Sequence, residues 1–232
     1  MKQLMLLIAI FAFVTVQAQK ILIGYNFSAD YNYRTLKNGD GSTSATIVIN
    51  SRNDDETPRF GYTTGLNVCF NFSKTVAFET GIQYSNKGYQ LKGQHLVFAT
   101  IDPNDPVKVS WVYTYQYIGI PLKAKFSFGK GKLRFVTGIG FTTSLLLSNK
   151  QTAIYEYADG STEKRRSSST AGFNKIDVSP VISVGADYKL NNKVHVFAES
   201  TFRYGLIKIK DAPVKENLWN AGLNVGFYYA VK

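Results

Sequence analysis

The sequence predicts an all-β chain: an eight-stranded antiparallel up-and-down transmembrane β-barrel with short periplasmic turns and long extracellular loops. Three observations lead there. The N-terminus has the form of an export signal, eight later segments alternate apolar with small or polar residues at period two, and the links between those segments alternate short and long.

Composition sets the bounds. A chain of 232 residues with 44% hydrophobic and 14% aromatic residues is neither disordered nor collagen-like. The single cysteine, Cys69, excludes an internal disulfide and a paired-Cys zinc site. Two histidines, His95 and His195, argue against a His-rich metal site or a Ser-His-Asp triad. No cofactor is therefore expected. Lys2 precedes a nearly continuous apolar run from Leu4 to Val16, and Val16-Gln17-Ala18 offers compact residues where a signal peptidase cuts. Residues 1–18 read as a signal peptide and 19–232 as the barrel domain. No later stretch reaches the ~18 apolar residues of a membrane helix.

The strands follow in order, each justified by the alternation of side chains to opposite faces. In 20–34, Ile21, Ile23, Tyr25, Phe27, Tyr31 and Tyr33 oppose Gly24, Asn26, Ser28 and Asp30. In 60–72, Phe60, Tyr62, Leu66, Val68, Phe70 and Phe72 oppose Gly61, Gly65, Asn67, Cys69 and Asn71. In 75–87, Val76, Phe78, Ile82 and Tyr84 oppose Glu79, Gly81, Gln83 and Ser85. In 117–128, Ile118, Ile120, Leu122 and Phe126 oppose Gly119, Lys123 and Lys125. In 133–145, Leu133, Phe135, Ile139 and Phe141 oppose Arg134, Gly138 and Gly140. The segments 178–190, 194–204 and 217–231 repeat the rule, with Ile182, Val196 and Leu223 on one face and Asp187, Glu199 and Asn224 on the other. No apolar face carries a charge.

Ser73-Lys74, Gly129–Lys132 and Asn191–Lys193 are tight turns. The intervening links, 35–59, 88–112, 146–177 and 205–216, are long. Hairpins within them, such as Ile154–Tyr157 before Asp159-Gly160, are expected to project beyond the bilayer. A soluble lipocalin-like carrier would also alternate, with its apolar face inward and long charged residues outside. Here the opposite face is mostly Gly, Ser, Thr and Asn, as a narrow crowded interior requires. Aromatics gather at both strand ends, forming two girdles at the bilayer interfaces. The apolar face should therefore meet lipid.

Phe78–Tyr84, Tyr117–Phe126 and Phe135–Gly140 resemble the recurring strands of the PorT-like outer-membrane β-barrel proteins, most specifically in Tyr117-Ile118-Gly119-Ile120-Pro121-Leu122 and Lys125. The resemblance covers essentially all of 19–232. It implies an eight-stranded barrel in the outer membrane of a Gram-negative envelope, with no catalytic residue. Some family members resemble secretion factors, which implies an accessory secretion role as the alternative function. The terminal Lys232 departs from the aromatic C-terminus common in barrels.

The interior face carries Glu79, Asp187 and Glu199 with Lys123, Lys125, Arg134 and Arg203 at what the sequence suggests is comparable depth. Glu79 should lie beside Lys123 or Lys125. Buried charges persist when paired, so a structural salt-bridged plug is expected rather than a narrow ion path. Basic neighbours would leave Glu79 and Glu199 without a proton to donate, so the pair is not a catalytic dyad. His195, close to the Asn191-Asn192 turn, is expected to be hydrated at the periplasmic mouth. A lipid-modifying enzyme using His95, Asp102 and loop serines has no motif to fix its geometry. Lys164, Arg165 and Arg166 form the densest basic patch and could meet lipopolysaccharide phosphates. Despite a net charge of +11 and a pI of about 9.6, no basic-aromatic stripe suggests nucleic acid. The expectation is a non-enzymatic outer-membrane protein with a structural or loop-mediated role. Its expected partners are outer-membrane lipid, lipopolysaccharide and an envelope or secretion protein.

Overall fold

Wherever the alternation is clear, the chain is strand. The computed structural model describes residues 20–98, 102 and 104–231; the segment 1–18, expected to be a signal peptide, and Lys232 lie outside them. Nine strands and one helix follow in order: β1 (Lys20–Asn38), α1 (Thr43–Asp55), β2 (Glu56–Asn71), β3 (Val76–His95), β4 (Lys108–Phe128), β5 (Leu133–Glu156), β6 (Thr162–Ser168), β7 (Ile176–Lys189), β8 (Val194–Tyr204) and β9 (Val214–Ala230).

Eight of the strands close a ring, β1–β2–β3–β4–β5–β7–β8–β9, and β9 returns antiparallel to β1. The predicted eight-stranded barrel is this ring. β6 is an addition: it pairs only with Lys150–Glu156 of β5, beyond the segment that β5 shares with β7. The short turns are built locally. Ser73 Oγ accepts from the backbone N–H of Thr75 and Val76, and Asn191 Oδ1 from those of Lys193 and Val194. Gly129 and Gly131 take φ of 103° and 104°, a region that disfavours side chains.

The apolar face points outward. Leu66 and Ile139 are 64% and 59% exposed, whereas the lumen-facing Asn26 is fully buried and Glu199 is 1% exposed. A soluble carrier would have the opposite polarity. Bulky lumen residues stand opposite glycines in the ladders: Lys123 faces Gly140, Lys125 faces Gly138, Glu199 faces Gly185 and Tyr228 faces Gly24. A Cβ on Gly138 would sit 2.5 Å from Ser183 Oγ and 3.0 Å from Lys123 Cδ. Glycine is required there by close packing.

The strands outrun the prediction on the long-loop side. β3 continues to His95, β4 begins at Lys108 and β5 continues to Glu156, so much of the expected links 88–112 and 146–177 is ladder. Above the outer girdle the polarity reverses. Tyr89, Tyr115, Tyr117, Leu146, Ile209 and Leu218 pack inward as a conventional core, with Tyr33, Tyr113 and Phe173 against it. Polar residues on the outside of these extensions meet water, so burial drives aromatics to the axis.

The helix α1 lies in the first long link, 35–59. Ser42 caps it by accepting from Ala45 N–H at 3.1 Å, and the Glu56 N–H closes its C-terminus on Arg52 O. Only Ala45 of this helix is buried.

Candidate functional site

The seven predicted lumen charges fall into three levels, not one. At the centre, Lys123 and Lys125 on β4 meet Glu79 on β3 and Glu199 on β8. Lys123 Nζ lies 2.9 Å from Glu79 and 3.1 Å from Glu199, and Lys125 Nζ lies 3.2 Å and 2.5 Å from the same carboxylates. Tyr228 donates its hydroxyl to Glu79 Oε2. Two cations thus share two anions in a closed cluster, each side chain at most 7% exposed. Toward the short turns, Arg134 pairs with Asp187 at 3.5 Å. His195 is buried with its Nδ1 3.1 Å from Asp187, rather than hydrated at the mouth, because its position on β8 is in register with Lys189 beside Asp187. Nearer the outer girdle, Arg203 approaches Asp30 at 3.7 Å, and Ser28 and Thr63 each donate to Asp30 at 2.5 Å. Glu79 does lie beside Lys123 and Lys125 as expected. A common depth for all seven fails because the charges sit at different distances from the short turns, Arg134 at the second residue of β5 and Arg203 at the tenth of β8.

The sequence reading missed a second set at the outer mouth. Arg34 Nε lies 2.7 Å from Glu56 Oε2, Arg52 Nε lies 2.6 Å from Glu56 Oε1, and Arg52 Nη2 lies 2.9 Å from Glu216 Oε2. Arg52 comes from the last turn of α1, Glu56 opens β2 and Glu216 belongs to β9, so this chain of ions ties the helix across the barrel rim. Arg52 Nη2 also donates to the Tyr89 hydroxyl at 3.0 Å. Below this, Lys87 pairs with Asp177 at 3.6 Å. Asp30 is visible on an interior face, and Lys87 continues the face of Glu79, Gln83 and Ser85; Arg52, Glu56, Asp177 and Glu216 lie in links where no alternation places them.

Beside these ions opens a concave vestibule of about 380 Å³. Tyr89 and Tyr113 stack on one wall with centroids 4.9 Å apart, and Tyr115 and Phe173 follow with centroids 6.1 Å apart. Arg52, Glu56, Lys210 and Glu216 supply its charges.

Lys164, Arg165 and Arg166 do not form one patch. On β6 they alternate, so Arg165 shares the face of its partner Ala153 and the other two share the faces of Ile154 and Thr152. Arg165 is held by Glu163 at 2.8 Å and lies over the Tyr155 ring. Lys150, in register with Ser168, joins Lys164 and Arg166 on the outer side. Arg59 reaches the same outer face, donating to Asn86 Oδ1 and to Thr114 Oγ1, and Thr114 stands opposite Lys150. His95 and Asp102 are not brought into a shared constellation: His95 ends β3 opposite Lys108, and Asp102 accepts from Asn104. No group of three or more His, Cys, Asp or Glu side chains arranged for a metal occurs among the described residues.

Comparisons with known proteins agree with this architecture. The family model described as "Outer membrane protein beta-barrel domain" matches residues 17–211. No curated protein matches. Similar solved structures include Neisserial surface protein A, 12% identical over 90% of this chain and 96% of that one, with a TM-score of 0.46. The outer membrane protease OmpT from Escherichia coli is 10% identical over 94% and 99%, with a TM-score of 0.46. OprG from Pseudomonas aeruginosa is 13% identical over 90% and 95%, with a TM-score of 0.41. The family rests on the matched domain alone.

Proposed function

Because the chain belongs to the outer membrane protein beta-barrel domain family and resides in the outer membrane, we propose that it is a non-enzymatic envelope protein whose working surface is its outer mouth and loops. The observation that supports this is the central cluster of Glu79, Lys123, Lys125 and Glu199, which crosses the lumen with paired, buried charges. An eight-stranded ring leaves an interior that side chains fill, so transport through it is not its task. What the fold presents to a partner is α1, the β3–β5 extensions and the β5–β6 hairpin. The carboxylates of Glu56 and Glu216 at the mouth are both engaged by Arg52 and are not arranged as a free acid–base pair. In this reading the basic outer face of β5 and β6 contacts lipopolysaccharide phosphate, and the loops present a surface to an envelope protein.

Mild cross-linking of intact cells tests it, with a photoreactive residue placed at Ile47 on the exposed side of α1 or at Glu79 in the lumen. Adducts are expected from position 47 and not from position 79. Adducts from neither, or release of labelled acyl chains from phospholipid or lipopolysaccharide by the purified protein, would overturn the proposal. The PorT-like strand Tyr117–Phe126 favours a second reading, an accessory role in secretion. Deleting the gene should then leave secreted proteins in the periplasm, whereas under the first reading their export is unchanged.

A further inference from the structure

We infer that the vestibule above the outer girdle is a binding site for a neutral saccharide unit. This rests on the outer mouth being the working end and names the ligand chemistry that end would take.

The cavity, about 380 Å³, has the size of a small-molecule site and holds one or two sugar rings. Its wall is aromatic: the partly exposed rings of Tyr113 and Phe173, backed by the buried core rings of Tyr89 and Tyr115. Flat apolar rings beside polar groups suit a ligand with both C–H faces and hydroxyl edges, which describes a pyranose. The charges point the same way. Arg52 and Lys210 offset Glu56 and Glu216 among the lining residues, so neither a cation nor an anion is favoured. A cation seeking the tyrosine faces finds Arg52 already over the Tyr89 ring, 5.7 Å from its centroid. A ligand carboxylate or phosphate seeking Arg52 finds it engaged by two carboxylates.

The second, independent observation is Glu216. The residue is 3% exposed, Oε2 is bound by Arg52, and the buried Oε1 has no hydrogen-bond partner among protein groups. A buried carboxylate oxygen left unmatched is costly. Glu216 lines this cavity, and a ligand hydroxyl that reaches Oε1 would supply the missing donor. Carboxylate oxygens accepting from hydroxyls give charge-assisted hydrogen bonds, while a neutral donor adds no net charge to the balanced site.

The test uses the full chain in phospholipid nanodiscs, which avoid sugar-headed detergents, with binding followed by calorimetry. The probes are maltose, cellobiose, lactose and chitobiose, with choline and glutamate as charged controls. A separate arm uses polysaccharide released from lipopolysaccharide. Saturable binding to at least one neutral saccharide is expected, weakened about tenfold or more by Glu216→Gln or Tyr113→Ala. Tyr113 is only partly buried and outside the ring's membrane section, and each variant is checked for an intact heat-modifiable barrel. Binding of the free disaccharides supports an environmental source, and binding of the released polysaccharide alone supports the cell's own surface glycan. Binding only to choline or glutamate, no binding to any saccharide, or saccharide binding unchanged in both variants would overturn the inference. If position 47 still cross-links a partner while no saccharide binds, the outer-mouth reading stands and this site fails. If saccharide binds but no cross-link forms, this site stands apart from loop-mediated contact.

Discussion

Lys123 and Glu79 face each other directly across the β3–β4 ladder, and the ammonium lies 2.9 Å from the carboxylate. Neither pairing is exclusive, because Lys125 and Glu199 complete a square of alternating charge. Glu79→Gln keeps the shape but leaves two buried ammonium groups on one carboxylate. Removing one member of a buried ion set typically costs about 3–5 kcal/mol. Urea unfolding in lipid vesicles should show a loss of that order. A change below about 0.5 kcal/mol would mean that the cluster is hydrated and energetically idle.

The same cluster makes the lumen a closed section. The purified protein in planar bilayers is expected to be electrically silent. Lys123→Ala with Glu199→Ala removes one cation and one anion, leaving Lys125 with Glu79, and should introduce small conductance steps. Steps in the unaltered protein at neutral pH would contradict the plug.

Ile139 sits in the middle of the lipid-facing band, between Ala124 on β4 and Ile182 on β7. Ile139→Arg puts a charge at the bilayer midplane, where it costs about 2–4 kcal/mol. Phe60→Arg, at the outer girdle, should cost about 0–1 kcal/mol. Equal costs at the two sites, read from unfolding in vesicles, would contradict the assigned depth.

How far this fold was legible follows from what the alternation reports. Between the girdles, hydrocarbon excludes charge and favours apolar side chains at outward positions, so Leu66, Ile82, Ile120 and Ile139 mark the strands. The Glu79–Lys123 pairing followed from strand register and a short turn. Above Tyr84 the outward side meets water, and Tyr89, Tyr113 and Tyr115 turn inward while Gln90 and Thr114 face out. The alternation continues with its sign reversed, and a bulge between Gln116 and Tyr117 breaks its phase, so a reading tuned to one polarity stops there. The helix α1 was hidden for another reason: β-branched Thr46, Ile47, Val48 and Ile49 have low helix propensity and no amphipathic period. The vestibule needed both missed features. Its ions come from α1, the first residue of β2 and a link-derived part of β9, positions that meet only once the ring closes.

The β5–β6 hairpin is held on one edge only, and Glu163 helps to fix it. Arg165 and then Tyr157 hydrogen-bond to its carboxylate and hold its pKa below the usual carboxylate range. A carboxyl lowered on folding contributes stability that is present above its unfolded pKa of about 4.3 and lost as pH falls through the folded value. Amide protection factors in 162–168 should therefore be level from neutral pH to about 5 and decline below about 4. Glu163→Gln should show the reduced protection already at neutral pH. Protection factors identical to those of the unaltered chain would remove Glu163 from the hairpin's support.

The last expectation separates the two faces of β6. Lys164 and Arg166 share the outer side with Lys150, and Arg59 lies on that side near Thr114. Arg165 faces the other way and is already neutralised by Glu163. Phosphates at the outer leaflet can reach the first group; they reach Arg165 only by breaking its ion pair. Lys150→Gln, Lys164→Gln and Arg166→Gln together should lower the lipopolysaccharide that co-purifies and its salt sensitivity, because each lost cation removes one screened phosphate contact. Arg165→Gln should leave both unchanged. If Arg165→Gln matched the triple variant, retention would follow net charge, and the directional face of β6 would have no part in it.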